Sequence, residues 1–107
     1  MYQYKELYTI DFSKVQHYLE MHFIIRQALD WPDYYGCNWS AFWDCLTNMT
    51  GRPVHIEIIG LDVIERKFDD AAKILIETLI EFKDYAKDTG TDVEVSVVNG
   101  NMRTRIV

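Results

Sequence analysis

The chain has 107 residues, 49% of them hydrophobic and 26% charged, with a formal net charge of −6. That length suits a single domain, 1–107, able to bury about two thirds of its unfolded surface, and the composition excludes intrinsic disorder. No run approaches the ~20 apolar residues of a membrane span, and an acidic chain lacks the positive footprint that direct nucleic-acid binding requires. The first six residues show neither the basic end nor the apolar run of a signal peptide. Two cysteines, Cys37 and Cys45, make no disulfide framework, so a reducing cytoplasm is the expected location.

Residues 6–11 suit a short first strand. Asp11 or Ser13 is expected to cap a helix running to about Leu29, with Val15, Leu19, His22 or Phe23, Arg26 and Leu29 near helical spacing. Trp31-Pro32 and Gly36 are loop chemistry. Asn38 can cap a second helix that ends within residues 48–51. Residues 54–59 are rich in β-branched side chains and read as a central strand. Residues 62–68 fit no single reading. From Asp70 a long helix follows, with Leu75, Leu79, Phe82 and Ala86 in one stripe and Gly90 as its stop. Val93, Val95 and Val97 alternate with Glu94 and Ser96, as in a half-buried strand. Asn99-Gly100 is a hairpin signal, so residues 101–107 should return as an antiparallel edge strand. This order predicts an α/β fold: a three-stranded parallel sheet packed with helices, plus an extra C-terminal antiparallel edge strand.

Charge and aromatic residues are concentrated. Residues 30–51 hold three acids (Asp30, Asp33, Asp44) and no Lys or Arg, and residues 31–43 hold Trp31, Tyr34, Tyr35, Trp39, Phe42 and Trp43, including all three tryptophans. On a helical projection of the second helix, Phe42, Cys45, Leu46 and Met49 share the core side. Ser40, Asp44 and Thr47 lie opposite. Trp39 and Trp43 stack one turn apart on the flank, with Trp43 about 110° from the core stripe. Two large aromatics beside one carboxylate make an interaction surface, because Trp and Tyr dominate binding energy at interfaces. A plain packing role for the tryptophans and a solvated Asp44 are the competing reading.

Catalytic chemistry finds no support. His17 and His22 are five apart and do not share a helix face, and His55 stands alone. No HExxH, GxSxG, P-loop or paired metal-ligand motif occurs. Cys45 reads as a small core residue, and Cys37 is a lone thiol without a placed base. Asp69 and Asp70 begin a helix, where acids favour the dipole.

The run from Trp31 to Thr47 resembles the barstar family through Pro32, Asp33, Tyr34, Tyr35, Gly36, Asn38, Ala41, Trp43, Asp44, Cys45, Leu46 and Thr47. Outside it the likeness is the order of elements and the Gly90-Thr91-Asp92 turn. The resemblance implies a barstar-like fold and a cytoplasmic inhibitor or immunity protein whose partner is a basic ribonuclease or ribonuclease toxin. Asp44 would occupy the phosphate position in the enzyme's cationic cleft. Tyr34, Asn38, Trp39, Ser40, Ala41, Trp43, Thr47 and Asn48 would form the surrounding contact surface. No cofactor, metal, membrane or direct nucleic-acid partner is implied, and the free protein is expected to be a monomer, with a homodimer through the aromatic surface as the rival.

The chain departs from the family at Ser40, where a second acid is expected, and at Tyr85, which replaces an acid on the later helix. Trp39 stands for a leucine and Asn48 for a glycine. These changes suggest a less charged, more aromatic interface. They also leave open a barstar-like interaction or immunity module that binds a partner other than a ribonuclease.

Overall fold

The computed structural model of the protein describes residues 7–31, 36 and 38–107. Among the described residues, four strands form one sheet: β1 (Tyr8–Asp11), β2 (Val54–Ile59), β3 (Val93–Asn99) and β4 (Met102–Arg105), in that spatial order. β1 and β3 pair with β2 in parallel, and β4 runs antiparallel to β3. β2 is therefore interior, as its β-branched run predicts. The α/β class, the three parallel strands and the returning edge strand all agree with the sequence.

The sheet buries one face. Tyr8, Ile10, Val54, Ile56, Ile58, Val93 and Val95 alternate inward and are nearly inaccessible. Four helices of the described residues supply the opposing layer: α1 (Tyr18–Ala28), α2 (Trp39–Thr47), α3 (Leu61–Lys67) and α4 (Ala71–Lys87). They contribute Met21, Ile25, Phe42, Leu46, Ile64, Leu75, Leu79, Phe82 and Ala86 to one continuous core. The stripe expected on α4 is thus its buried face. The other sheet face is a charged ladder. His55 meets Asp92 at 2.9 Å, Arg105 meets Glu94 at 2.9 Å, and Arg103 meets Glu57 at 3.4 Å. Two of these pairs tie β4 to β3 and, across it, to β2, although exposed pairs add only about 0–1 kcal/mol each.

α1 differs from its sequence expectation in start and in face. Asp11 does not cap it; its carboxylate accepts the Ser13 N–H at 2.9 Å in a local turn. The cap comes from inside the helix, where the Glu20 carboxylate accepts the Gln16 N–H at 2.8 Å and the His17 N–H at 3.4 Å. These bonds hold the Glu20 carboxyl below its ordinary range. The buried face is Met21, His22 and Ile25, followed by Leu29, while Leu19 and Phe23 stand exposed. Apolar residues surround this helix, so its periodicity admits several stripes and tertiary packing selects one. The unassigned segment after β2 forms α3. It begins at Gly60, where φ is +79° and a Cβ would lie 2.6 Å from the Ser13 nitrogen, so only glycine passes the β1–α1 turn here.

The Asn99-Gly100 hairpin and the Gly90 stop both form with glycine at positive φ. Beyond α2, the Gly51 N–H donates to Thr91 Oγ1 at 2.8 Å, tying the loop after α2 to the loop after α4. That link and the α2–α4 packing fix the orientation of α2 on the core. Among the described residues no helix is long and apolar enough to cross a membrane.

Candidate functional site

The start of α2 is set by Asn38. Its Oδ1 accepts the Ala41 N–H at 2.8 Å, and its Nδ2 donates to the Gly36 carbonyl at 3.1 Å. One side chain thus caps the helix and closes the preceding loop. Asn38 therefore holds the surface in place, and its amide is engaged. Inward, Phe42 and Leu46 are fully buried and Met49 nearly so. Cys45, expected on the core side, is only half-buried. Burial first, and the neighbouring Asp44 carboxylate second, push its thiol pKa up, so it stays a protonated, unreactive thiol.

The two tryptophans of α2 are half-buried, but they do not stack on one another as expected. Trp39 turns toward α1, edge-on to His22 at 4.8 Å and to Phe42 at 5.5 Å. Trp43 turns toward α4, edge-on to Tyr85 at 5.6 Å. The flanking helices each offer a ring, and an edge-to-face pair with a second aromatic is a favoured arrangement for an indole. Tyr85, at the position where the resemblance expects an acid, braces Trp43 instead. Trp31 is buried against Phe42 at 5.6 Å and belongs to the core. His22 is buried beneath Trp39 and Tyr18, and burial lowers its pKa, so it is neutral there.

Beside these anchored rings stands Asp44, exposed, with its carboxylate in no ion pair or hydrogen bond to a described residue. Only its backbone carbonyl is used, accepting from Thr47 Oγ1 at 2.9 Å. Thr47 is half-buried with its hydroxyl so engaged, Ala41 is half-buried against the core, and Ser40 and Asn48 are exposed. Of the expected residues, the structure brings Trp39, Ser40, Trp43 and Asp44 together on one side of α2, with Ser40 and Asp44 outward, while Asn38 caps the helix and Ala41 packs against the core. Tyr34 lies outside the described residues, as do Pro32, Asp33, Tyr35 and Cys37.

Two residues of this surface escaped the sequence reading. Trp39, Ser40, Trp43 and Asp44 line an open groove of about 390 Å3, and its other wall is Thr78 and Glu81 of α4. The spacing of Thr78, Glu81 and Tyr85 marks one line of α4 beside the core stripe, but only the packing of α4 on α2 brings that line to the groove. Elsewhere, His55 is occupied on the sheet face, where its bond to Asp92 holds that carboxyl below its usual range. Among the described residues, no group of three His, Cys, Asp or Glu side chains could hold a metal ion.

The arrangement can present an unneutralised carboxylate with flanking rings to a cationic partner. Comparison with known proteins gives it a context. Residues 6–98 match the family described as Barstar (barnase inhibitor). The chain is also 30% identical, over 78 residues, to the Bacillus subtilis (strain 168) protein named "Putative ribonuclease inhibitor YrdF"; the match covers 73% of this chain and 82% of that protein. The matched span takes in β1 through most of β3, and with them the whole of α2 and its groove: the chain belongs to the barstar family.

Proposed function

We propose that this protein is a cytoplasmic inhibitor of a basic ribonuclease or ribonuclease toxin, acting as an immunity protein through a single barstar-like domain, 1–107. The observation that carries the reading is Asp44: exposed, unpaired among the described residues, and set beside braced indoles in a chain of this family. A ribonuclease cleft gathers cations to hold the RNA phosphate. A carboxylate entering it accepts charge-assisted hydrogen bonds in the phosphate's place. Trp43, with Tyr34 from the preceding loop, would cover the mouth of the cleft, and excluding water strengthens the charge pair. The net charge of −6 speeds encounter with a basic enzyme, and added salt slows it. The free protein is a monomer in this reading.

The test is RNA cleavage by a panel of basic extracellular bacterial ribonucleases, with wild type beside Asp44→Ala and Asp44→Lys. Inhibition by the wild type that both variants lose supports the proposal. Ser40, which cannot pair with a cation, favours one alternative: a module binding a partner that is not a ribonuclease. Binding that leaves cleavage untouched would establish that alternative, and light scattering at rising concentration would expose a homodimer.

A further inference from the structure

The family resemblance expects two carboxylates one helical turn apart on α2, and a further acid near the end of the later helix. This chain has Ser40 and Tyr85 at those positions. The packing of α4 on α2 nevertheless returns a second carboxylate to the surface. Glu81 lies one turn before Tyr85 and lines the groove opposite Asp44. Both carboxylates are exposed, and neither is in an ion pair or hydrogen bond with a described residue. The nearby lysines of α4 are occupied elsewhere, Lys83 on the Val93 carbonyl at 3.0 Å and Lys87 beside Asp84 at 3.8 Å.

We propose that Glu81 is the second partner-binding carboxylate of this protein, and that the groove it shares with Asp44, Trp39 and Trp43 receives an arginine side chain of the partner. This rests on the inhibitor reading above and names the chemistry of its contact. The lining selects the occupant. Two carboxylates facing one another across a groove attract a cation and repel an anion. The indoles between them add apolar surface, and the Ser40 and Thr78 hydroxyls add acceptors. A guanidinium satisfies all three: it is planar, has donors along its edges for two carboxylates, and stacks its faces on aromatic rings. A lysine ammonium meets the charge but has no such faces. Tyr85 then has a role of its own, since it holds Trp43 as a wall of the groove. Relative to the family pattern, the acid has moved one turn along α4 and the freed position carries a ring.

Two measurements test this. In the first, the indole N–H resonances of the free protein are followed by NMR during titration with N-acetyl-arginine amide, and with N-acetyl-lysine amide at matched ionic strength. Trp31, buried under Phe42, serves as internal control. Saturable shifts are expected at Trp39 and Trp43 and not at Trp31. They should be weaker for the lysine compound, and their affinity should fall about fivefold in Glu81→Gln, as loss of one partly exposed charged contact warrants. Shifts that do not saturate, that the lysine compound reproduces equally, or that Glu81→Gln leaves unchanged would overturn the proposal. In the second, Glu81→Gln joins the ribonuclease panel, where inhibition should weaken at least about tenfold. If Asp44→Ala loses inhibition while Glu81→Gln keeps it, the inhibitor reading stands and the role of Glu81 falls. If no ribonuclease is inhibited but the arginine compound saturates a Glu81-dependent site, the ribonuclease reading falls and the groove assignment stands.

Discussion

Replacing Asp44 with alanine should move stability and inhibition in opposite directions, and both magnitudes follow from its position. The side chain is exposed and is in no ion pair or hydrogen bond with a described residue, so its removal breaks no such bond among the described residues. Alanine is the better helix former by about 0.5–0.7 kcal/mol. Asp44 also lies three residues from the C-terminal end of α2, where the negative end of the helix dipole disfavours an anion by about 0.3 kcal/mol. The variant should therefore be more stable by about 0.5–1 kcal/mol, which for a chain of this size raises Tm by about 3–6 °C. In the complex the same carboxylate would be desolvated against cations, and truncating such a partner costs about 2–5 kcal/mol, or roughly 30- to 5,000-fold in affinity. Calorimetry on the free protein and inhibition of RNA cleavage read the two effects separately. A Tm that falls by more than about 2 °C would show that the carboxylate serves its own fold. Inhibition retained to within about threefold would place the inhibitory contact elsewhere.

Phe42→Ala and Leu46→Ala, on the fully buried side of the same helix, should lower stability in urea melts by about 3–5 and 2–5 kcal/mol respectively; losses below about 1 kcal/mol would mean that α2 is not anchored through them. Because burial lowers the His22 pKa below its ordinary value of about 6.5, the unfolded chain binds the proton more readily. Its contribution is therefore complete above that pH and is lost as the pH falls through 6.5 toward the folded value. The urea midpoint should drop between pH 8 and pH 5.5, and His22→Gln should flatten the drop; an unchanged slope would exclude His22 as its source. The lowered carboxyls of Asp11, Glu20 and Asp92 act only below about pH 4.5, outside that window. Gly60→Ala should cost at least about 2 kcal/mol, since its Cβ meets backbone atoms of Phe12 and Ser13 at a positive φ; a variant with wild-type stability would mean that the β1–α1 turn can yield.

What the sequence made legible was local. The Asn38 cap, the β2 and β3 strands, the α4 stripe and the Asn99-Gly100 hairpin each follow from residues close together in the chain, and all of them form. The outward side of α2 was legible for the same reason, since helical rotation alone separates Asp44 from Phe42. The errors arose where distant parts of the chain decide. The face of α1 depends on which of its many apolar residues meets β1 and α2. Trp39 and Trp43 parted because His22 and Tyr85 sit on different helices. Thr78 and Glu81 joined the groove through the packing of α4 on α2, which no spacing within either helix records. Helix α3 lacked a clear stripe, and it starts at a glycine whose role is visible only beside the turn it passes.

The returning strand β4 bears on how such a protein tolerates abundance. Without it, the frontier of the sheet would be β3, with Val93, Val95, Val97 and Val98 and a row of open amide and carbonyl groups, a template for strand addition by a second molecule. With it, the frontier is a four-residue strand, exposed throughout and carrying two guanidinium groups. Such a border discourages further pairing through its shortness and its like charges. On the inhibitor reading proposed above, in which the protein must match or exceed its target in amount, this side of the sheet then offers little for a second copy to pair with.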